Sequence, residues 1–152
     1  MKVLALDTAT NTGWAVFDDE KYVESGVMSF KKKRGESNGI LFLKFRTWVS
    51  ELILTTRPDI VAYEQAHFRG GAATEICVGL QTRVQEAAAQ HEINCLPVTT
   101  SQVKKSLSGK GSASKEDQIA AARIIIGRAP LSDDEADAIG VALATYEEFN
   151  FF

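Results

Sequence analysis

The chain reads as an α/β protein built on a mixed central sheet, on two observations. Three strand-like segments come first, and they are followed by an alternation of helix, strand, helix, strand and helices. The strand segments at residues 3–7 and 60–64 are apolar up to their last residue, as expected for strands covered on both faces, and each ends in a carboxylate, Asp7 and Glu64.

Residues 3–7 form the first strand. Residues 12–17 and 21–30 form two more, joined in hairpin fashion through Asp18-Asp19-Glu20. Ser37 to Thr55 is helical, with Leu41, Phe45, Trp48 and Leu52 on one stripe and Arg57-Pro58 beyond its end. The strand at 60–64 leads into a loop with Gly70-Gly71. A helix then covers residues 72–90, its apolar stripe being Ala73, Ile76, Cys77, Leu80, Val84 and Ala87. The strand Ile93–Val98 precedes a short helix around Ser101–Leu107 and the loop Ser108-Gly109-Lys110-Gly111-Ser112. Ser114 can cap the next helix, with Asp117 at the reciprocal capping-box position, and Gly127 and Pro130 end it. Ser132 stands in the same relation to Glu135 at the start of the last helix.

A chain of 152 residues fits one domain, 1–152, and can bury a real core; 45% apolar and 24% charged residues are ordinary for a folded protein. No apolar run approaches the roughly 18 residues that cross a bilayer, and Met1-Lys2 leads straight into a strand. The expectation is a cytoplasmic protein without a membrane association. Cys77 and Cys95 lack metal-ligand spacing and read as small core residues. A net charge of −3 excludes a nonspecific polycation, but the bases cluster locally: Lys31 to Arg34, and Lys104, Lys105, Lys110 and Lys115.

Carboxylates at strand ends are costly, because charge beside a core resists leaving water. Asp134 and Asp137 add two more at the start of the last helix, three residues apart and so roughly 60° apart on its wheel. Both can grip one site, their repulsion partly offset by the helix dipole. Taken alone, Asp133, Asp134 and Glu135 are favourable first-turn acids; Glu64 beside Gln65 has no such simple explanation. The conjunction predicts a divalent-cation site in a nuclease or phosphoryl-transfer enzyme. In-line phosphodiester hydrolysis needs two hard cations about 4 Å apart and several oxygen ligands, with Asp7 the natural bridge. Crowded carboxylates of this kind should show at least one raised pKa in the metal-free protein.

In residues 103–115, glycines and serines alternate with lysines. This suits phosphate approach: small residues expose backbone N–H groups while Lys104 and Lys115 supply charge from the flanking helices. A flexible solvated loop is the plainer alternative, and the spacing is not that of a Walker A motif. After Glu64 come His67, Phe68 and Arg69, ahead of the glycines. There Phe68 can stack on an unpaired base and Arg69 can clamp a phosphate, or Phe68 is a lid over its own core; His67 is most simply a solvated loop residue.

With these motifs in order, the chain resembles a RuvC-type Holliday-junction resolvase (crossover junction endodeoxyribonuclease), of the compact kind seen in phages and prophages. The resemblance rests on Leu4-Ala5-Leu6-Asp7 with Thr12-Gly13-Trp14, on Tyr63-Glu64-Gln65, on Val103-Lys104-Lys105 through Lys115, and on Asp134-Glu135-Ala136-Asp137-Ala138. It implies an RNase H-like fold with a five-stranded mixed sheet. It also implies a homodimer on a four-way DNA junction, nicking two strands symmetrically with two Mg²⁺ or Mn²⁺ per site and leaving 5′-phosphates. Asp7, Glu64, Asp134 and Asp137 would be the metal ligands, with Asp133 an alternative to Asp134. Lys104 and Lys115 would act at the cleaved phosphate, and Lys104, Lys105, Lys110, Phe68 and Arg69 would contact DNA. The helix 72–90 would form much of the dimer interface through its Ala-rich stripe. Thr8-Ala9 replaces the Pro-Gly that usually follows the first Asp, which leaves partnership with a branch-migration motor open.

The alternatives are an RNase H-fold nuclease acting on other branched DNA, RNA–DNA hybrid or structured RNA, and a dead junction-binding module. The Arg-x-Gly of the pre-rRNA nucleases is absent, and an actin-like or sugar-kinase ATPase would need a second such domain.

Overall fold

The computed structural model describes residues 1–65 and 70–150. Five strands, β1 (Lys2–Asp7), β2 (Asn11–Asp18), β3 (Lys21–Ser29), β4 (Ile60–Glu64) and β5 (Asn94–Val98), form one sheet in the order β3-β2-β1-β4-β5. The first three are antiparallel neighbours, whereas β4 and β5 run parallel to β1. The sheet is therefore mixed, as expected. Asp19 and Glu20 both take positive φ, 49° and 67°, in the tight turn between β2 and β3. Such a turn matches the right-handed twist of the strands it joins.

Among the described residues, five helices cover both faces: α1 (Asn38–Thr56), α2 (Ala72–Gln90), α3 (Thr100–Ser108), α4 (Lys115–Ile126) and α5 (Asp133–Asn150). Side chains alternate across β1, which splits the core in two. Leu4 and Leu6, with Val16, Val61 and Tyr63, pack under α1 and α2. Val3 and Ala5, with Ala15, Phe17, Ile60 and Ala62, pack under α5, α3 and α4. A strand buried on both faces cannot alternate in polarity, which is why 3–6 and 60–63 are continuously apolar.

Element limits agree with the sequence reading to within about a residue or two. The inner row of α1 is Leu41, Phe45, Val49 and Ile53, with Trp48 and Leu52 at its edge. Ser114 and Asp117 form the expected reciprocal capping box, and Gly127 ends α4 in a left-handed conformation at φ 77°. Thr99 and Gln102 make a second capping box, on α3.

The expected Ser132–Glu135 box does not form. The Ser132 hydroxyl accepts instead from Asp134 N–H at 3.2 Å, and Glu135 turns inward to a different set of partners. The reason is packing. α5 lies against the sheet on one side and α3 and α4 on the other, so Ala136, Ala138, Ile139, Val141 and Ala142 are all fully buried and its surface is enclosed nearly all round. Among the described residues, no helix is long and apolar enough to cross a membrane.

Candidate metal centre and phosphate site

Residue parity brings the acids together. Asp7 continues the Val3–Ala5 row and Glu64 the Ile60–Ala62 row, so both side chains face the α5 side. β1 and β4 are parallel neighbours in register from Val3–Ile60 to Leu6–Tyr63, which puts Asp7 and Glu64 side by side one step further along. On the other side of Asp7 the register partner is Gly13. A Cβ at Gly13 would lie 1.8 Å from the backbone oxygen of Asp134. Glycine there lets the first turn of α5 rest on the sheet, and that contact delivers Asp137 to the strand ends.

The result is a compact triad. Asp7, Glu64 and Asp137 each offer a carboxylate oxygen within 4.8 Å of the others. Asp134, one turn earlier, is in hydrogen-bonding reach of Asp7 but lies outside that triad. Burial pushes the Asp7 carboxyl well above its ordinary value, and Glu64, Asp137 and Asp134 add repulsion. Burial likewise raises Asp137 to about 7, reinforced by Glu64, Asp133 and Asp134 and only partly relieved by Lys115. Asp134 is raised too, by burial and then by Asp133. Protein hydrogen bonds do not compensate this crowding, and hard oxygen donors so disposed suit a divalent cation.

The acids open onto a cleft of about 500 Å³ also lined by Thr8, Gln65, Cys77, Gln81, Thr100, Lys115 and Asp133. Thr8 Oγ1 and Gln81 Nε2 are buried at its wall without a protein partner. Two orphaned polar atoms beside three unneutralised carboxylates fit a site made to hold a hydrated cation or an anion's oxygens.

The sequence-predicted bases separate. Lys115 reaches the cleft, its Nζ 3.3 Å from Asp133, and that contact raises its pKa. Lys104 is partly buried on α3 and is not among the cleft-lining residues; Lys105 and Lys110 are exposed near it. His67, Phe68 and Arg69 lie outside the described residues. Of the two cysteines, Cys95 packs against the core under α1 and α2 as expected, whereas Cys77, also partly buried, forms cleft wall in place of core. Gln81 went unremarked in the sequence, although a Gln between Leu80 and Val84 on an apolar stripe, four residues from Cys77, is the signal that marks it.

A sequence profile described as "Crossover junction endodeoxyribonuclease RuvC" matches residues 3–145. The chain belongs to the RuvC family. The crossover junction endodeoxyribonuclease RuvC of Prochlorococcus marinus subsp. pastoris is 28% identical over 160 residues, covering 99% of each chain. Among solved structures, Thermus thermophilus RuvC superposes with a TM-score of 0.82 at 25% identity, over 99% of this chain and 96% of that one. The T. thermophilus RuvC structure in complex with a Holliday junction substrate gives a TM-score of 0.83 at 24% identity, with the same coverage. The RNase H-like expectation of the sequence thus holds for the fold.

Proposed function

We propose that this RuvC-family chain is a structure-selective endonuclease that resolves four-way DNA junctions by metal-dependent phosphodiester hydrolysis, leaving 5′-phosphates. The observation that carries this reading is the Asp7–Glu64–Asp137 triad, within 4.8 Å, at the sheet end of a chain whose relatives are named crossover junction endodeoxyribonucleases.

Asp7, Glu64 and Asp137 would hold Mg²⁺ or Mn²⁺, two per site, with Asp134 completing the oxygen set. When bound, the cations supply Lewis-acid activation of water and neutralise charge at the leaving oxygen. The chain's own groups do the rest. Lys115, held over the cleft by Asp133, is placed to meet a phosphate, and Thr8 and Gln81 offer donors to its oxygens. Lys104, Lys105 and Lys110 are near enough in sequence and exposure to follow the DNA backbone outside the cleft, where each contributes a salt-sensitive phosphate contact.

The test is cleavage of four-way junction, flap, linear duplex and RNA–DNA hybrid substrates by wild type and Asp7→Asn. Symmetric, ligatable nicks on the junction are expected. They should fall by roughly 10²-fold or more in Asp7→Asn, with junction binding retained. Equal cutting of linear duplex, or undiminished cutting by the variant, would refute the assignment.

A further inference from the structure

Glu135 sits between the site acids in sequence, yet it is fully buried while they face the cleft. Two residues on a helix turn it by about 200°, so Glu135 and Asp137 project from nearly opposite sides of α5. The Glu135 carboxylate accepts from Arg128 Nη1 at 3.0 Å and Nη2 at 2.6 Å, from Leu131 N–H at 2.7 Å and from Ser25 Oγ at 2.7 Å. Arg128 also donates to the Ala129 carbonyl at 3.1 Å and to Ser25 O and Oγ at 3.5 Å. Tyr22 OH lies 3.0 Å from the same hydroxyl. The carboxylate's acceptor capacity is essentially filled. Edge strand β3, the 127–132 loop and the first turn of α5 thus meet at one ion pair.

The pair is only half buried, Glu135 being enclosed and the Arg128 side chain 42% exposed, and a pair screened on one side adds little stability. What it does provide is direction, since a two-pronged guanidinium contact fixes orientation as well as distance. We propose that Glu135 and Arg128 are positioning residues that set the roll and height of α5 on the sheet, and thereby hold Asp137 and Asp134 at metal-binding distance from Asp7 and Glu64. Gly13 sets how closely the helix approaches; the Arg128–Glu135–Ser25 clamp sets which way it faces. If the clamp slackens, the helix rolls about its axis and Asp137 swings, because the two side chains are levers on opposite sides of it. This inference rests on the triad being the metal site.

The experiment is calorimetric titration of the full-length protein with Mn²⁺, alongside thermal melting. Wild type, Glu135→Gln, Arg128→Lys and Val49→Ala are compared, the last being a buried position of α1 on the far face of the sheet. Glu135→Gln keeps the shape but makes one oxygen a donor facing Arg128 and Ser25, and it should weaken Mn²⁺ binding by about tenfold or more, as loss of a ligand's supporting contacts does. Arg128→Lys keeps the charge without the fork and should fall between wild type and Glu135→Gln. Val49→Ala should melt lower yet bind Mn²⁺ as wild type does. Unchanged binding in both clamp variants, or an equal loss in Val49→Ala, would overturn the proposal. Absence of Mn²⁺ binding by wild type would instead overturn the metal-site reading, and this inference with it.

Discussion

At the scale of single residues, the energetics of the site reduce to how four acids share one small volume. Burial and mutual repulsion raise Asp7, Asp134 and Asp137, with Asp137 reaching about 7. A carboxyl whose pKa is raised on folding binds its proton more tightly in the folded chain than in the unfolded one. Its contribution to stability is therefore present below the ordinary carboxyl value near 4 and is lost as pH rises through about 7. Divalent cations bind the deprotonated acids and so compete with these protons. We expect the metal-free protein to melt at progressively lower temperature from pH 5 to pH 8. Ten millimolar Mg²⁺ should raise the melting temperature by about 3 °C at pH 8 and by little at pH 5. Scanning calorimetry at the two pH values decides this; a Mg²⁺ effect equal at both would show that the acids are not what the cation meets. Glu135 behaves in the opposite sense. Burial alone would raise it, but Arg128, Ser25 and the Leu131 N–H together hold it below its ordinary value, so it stays charged and clamped when its neighbours are protonated.

At the scale of elements, the site is assembled by a close approach between a helix and a strand, and Gly13 is where that approach is made. Replacing it by alanine would put a methyl 1.8 Å from the Asp134 carbonyl oxygen, which no rotamer can relieve because both partners are backbone. The first turn of α5 must lift. Gly13→Ala is therefore expected to cost about 3 kcal/mol or more in chemical denaturation and to abolish Mg²⁺-induced stabilisation. A soluble, folded variant with wild-type metal response would show that α5 is not indexed by this contact. The same junction explains what could be read from the sequence. Strand acids were legible, because apolar runs that end abruptly in Asp7 and Glu64 break a pattern. The capping box of α4 was legible because Ser114 and Asp117 act locally. Glu135 was misread for the same reason: its spacing from Ser132 satisfies a local rule, but burial of α5 between the sheet and α3 and α4 turns the carboxylate to Arg128, Ser25 and the Leu131 N–H in place of the Ser132 N–H. Cys77 and Gln81 were hidden because α2 periodicity tells core side from solvent side and cannot tell core from cleft wall. Lys104 and Lys115 looked equivalent by composition, yet only Lys115, in the first turn of α4, reaches the cleft.

At the scale of the whole molecule, the charge distribution and the sheet geometry set what one copy can do. Near the site the charge is dominated by the carboxylates of Asp7, Glu64, Asp134 and Asp137, which two divalent cations would balance, so a loaded face would accept DNA that the metal-free face repels. One triad serves one scissile phosphate. Opening a four-way junction into two duplexes requires a nick in each of two strands, so a single copy can at most nick once per encounter. The resemblance gives helix 72–90 much of a dimer interface; along α2, Ala87 and Ala88 are fully buried in this chain's own core, whereas Ala72, Ala73 and Ala89 are exposed. We propose that pairing through α2 uses the exposed alanines of its first turn, at the cleft end. A dimer purified with one wild-type and one differently tagged Asp7→Asn protomer tests this directly. It is expected to convert a four-way junction to a singly nicked product, and to yield resolved duplexes only at the rate at which nicked junctions are released and rebound. Gel filtration of the wild-type protein should give a dimer, and Ala72→Glu, outside the cleft lining, should shift it to monomer and leave the nicking of a second strand uncoupled from the first. Full resolution by the mixed dimer at the wild-type rate would mean that one site cuts both strands, and the two-site account of this fold would fail.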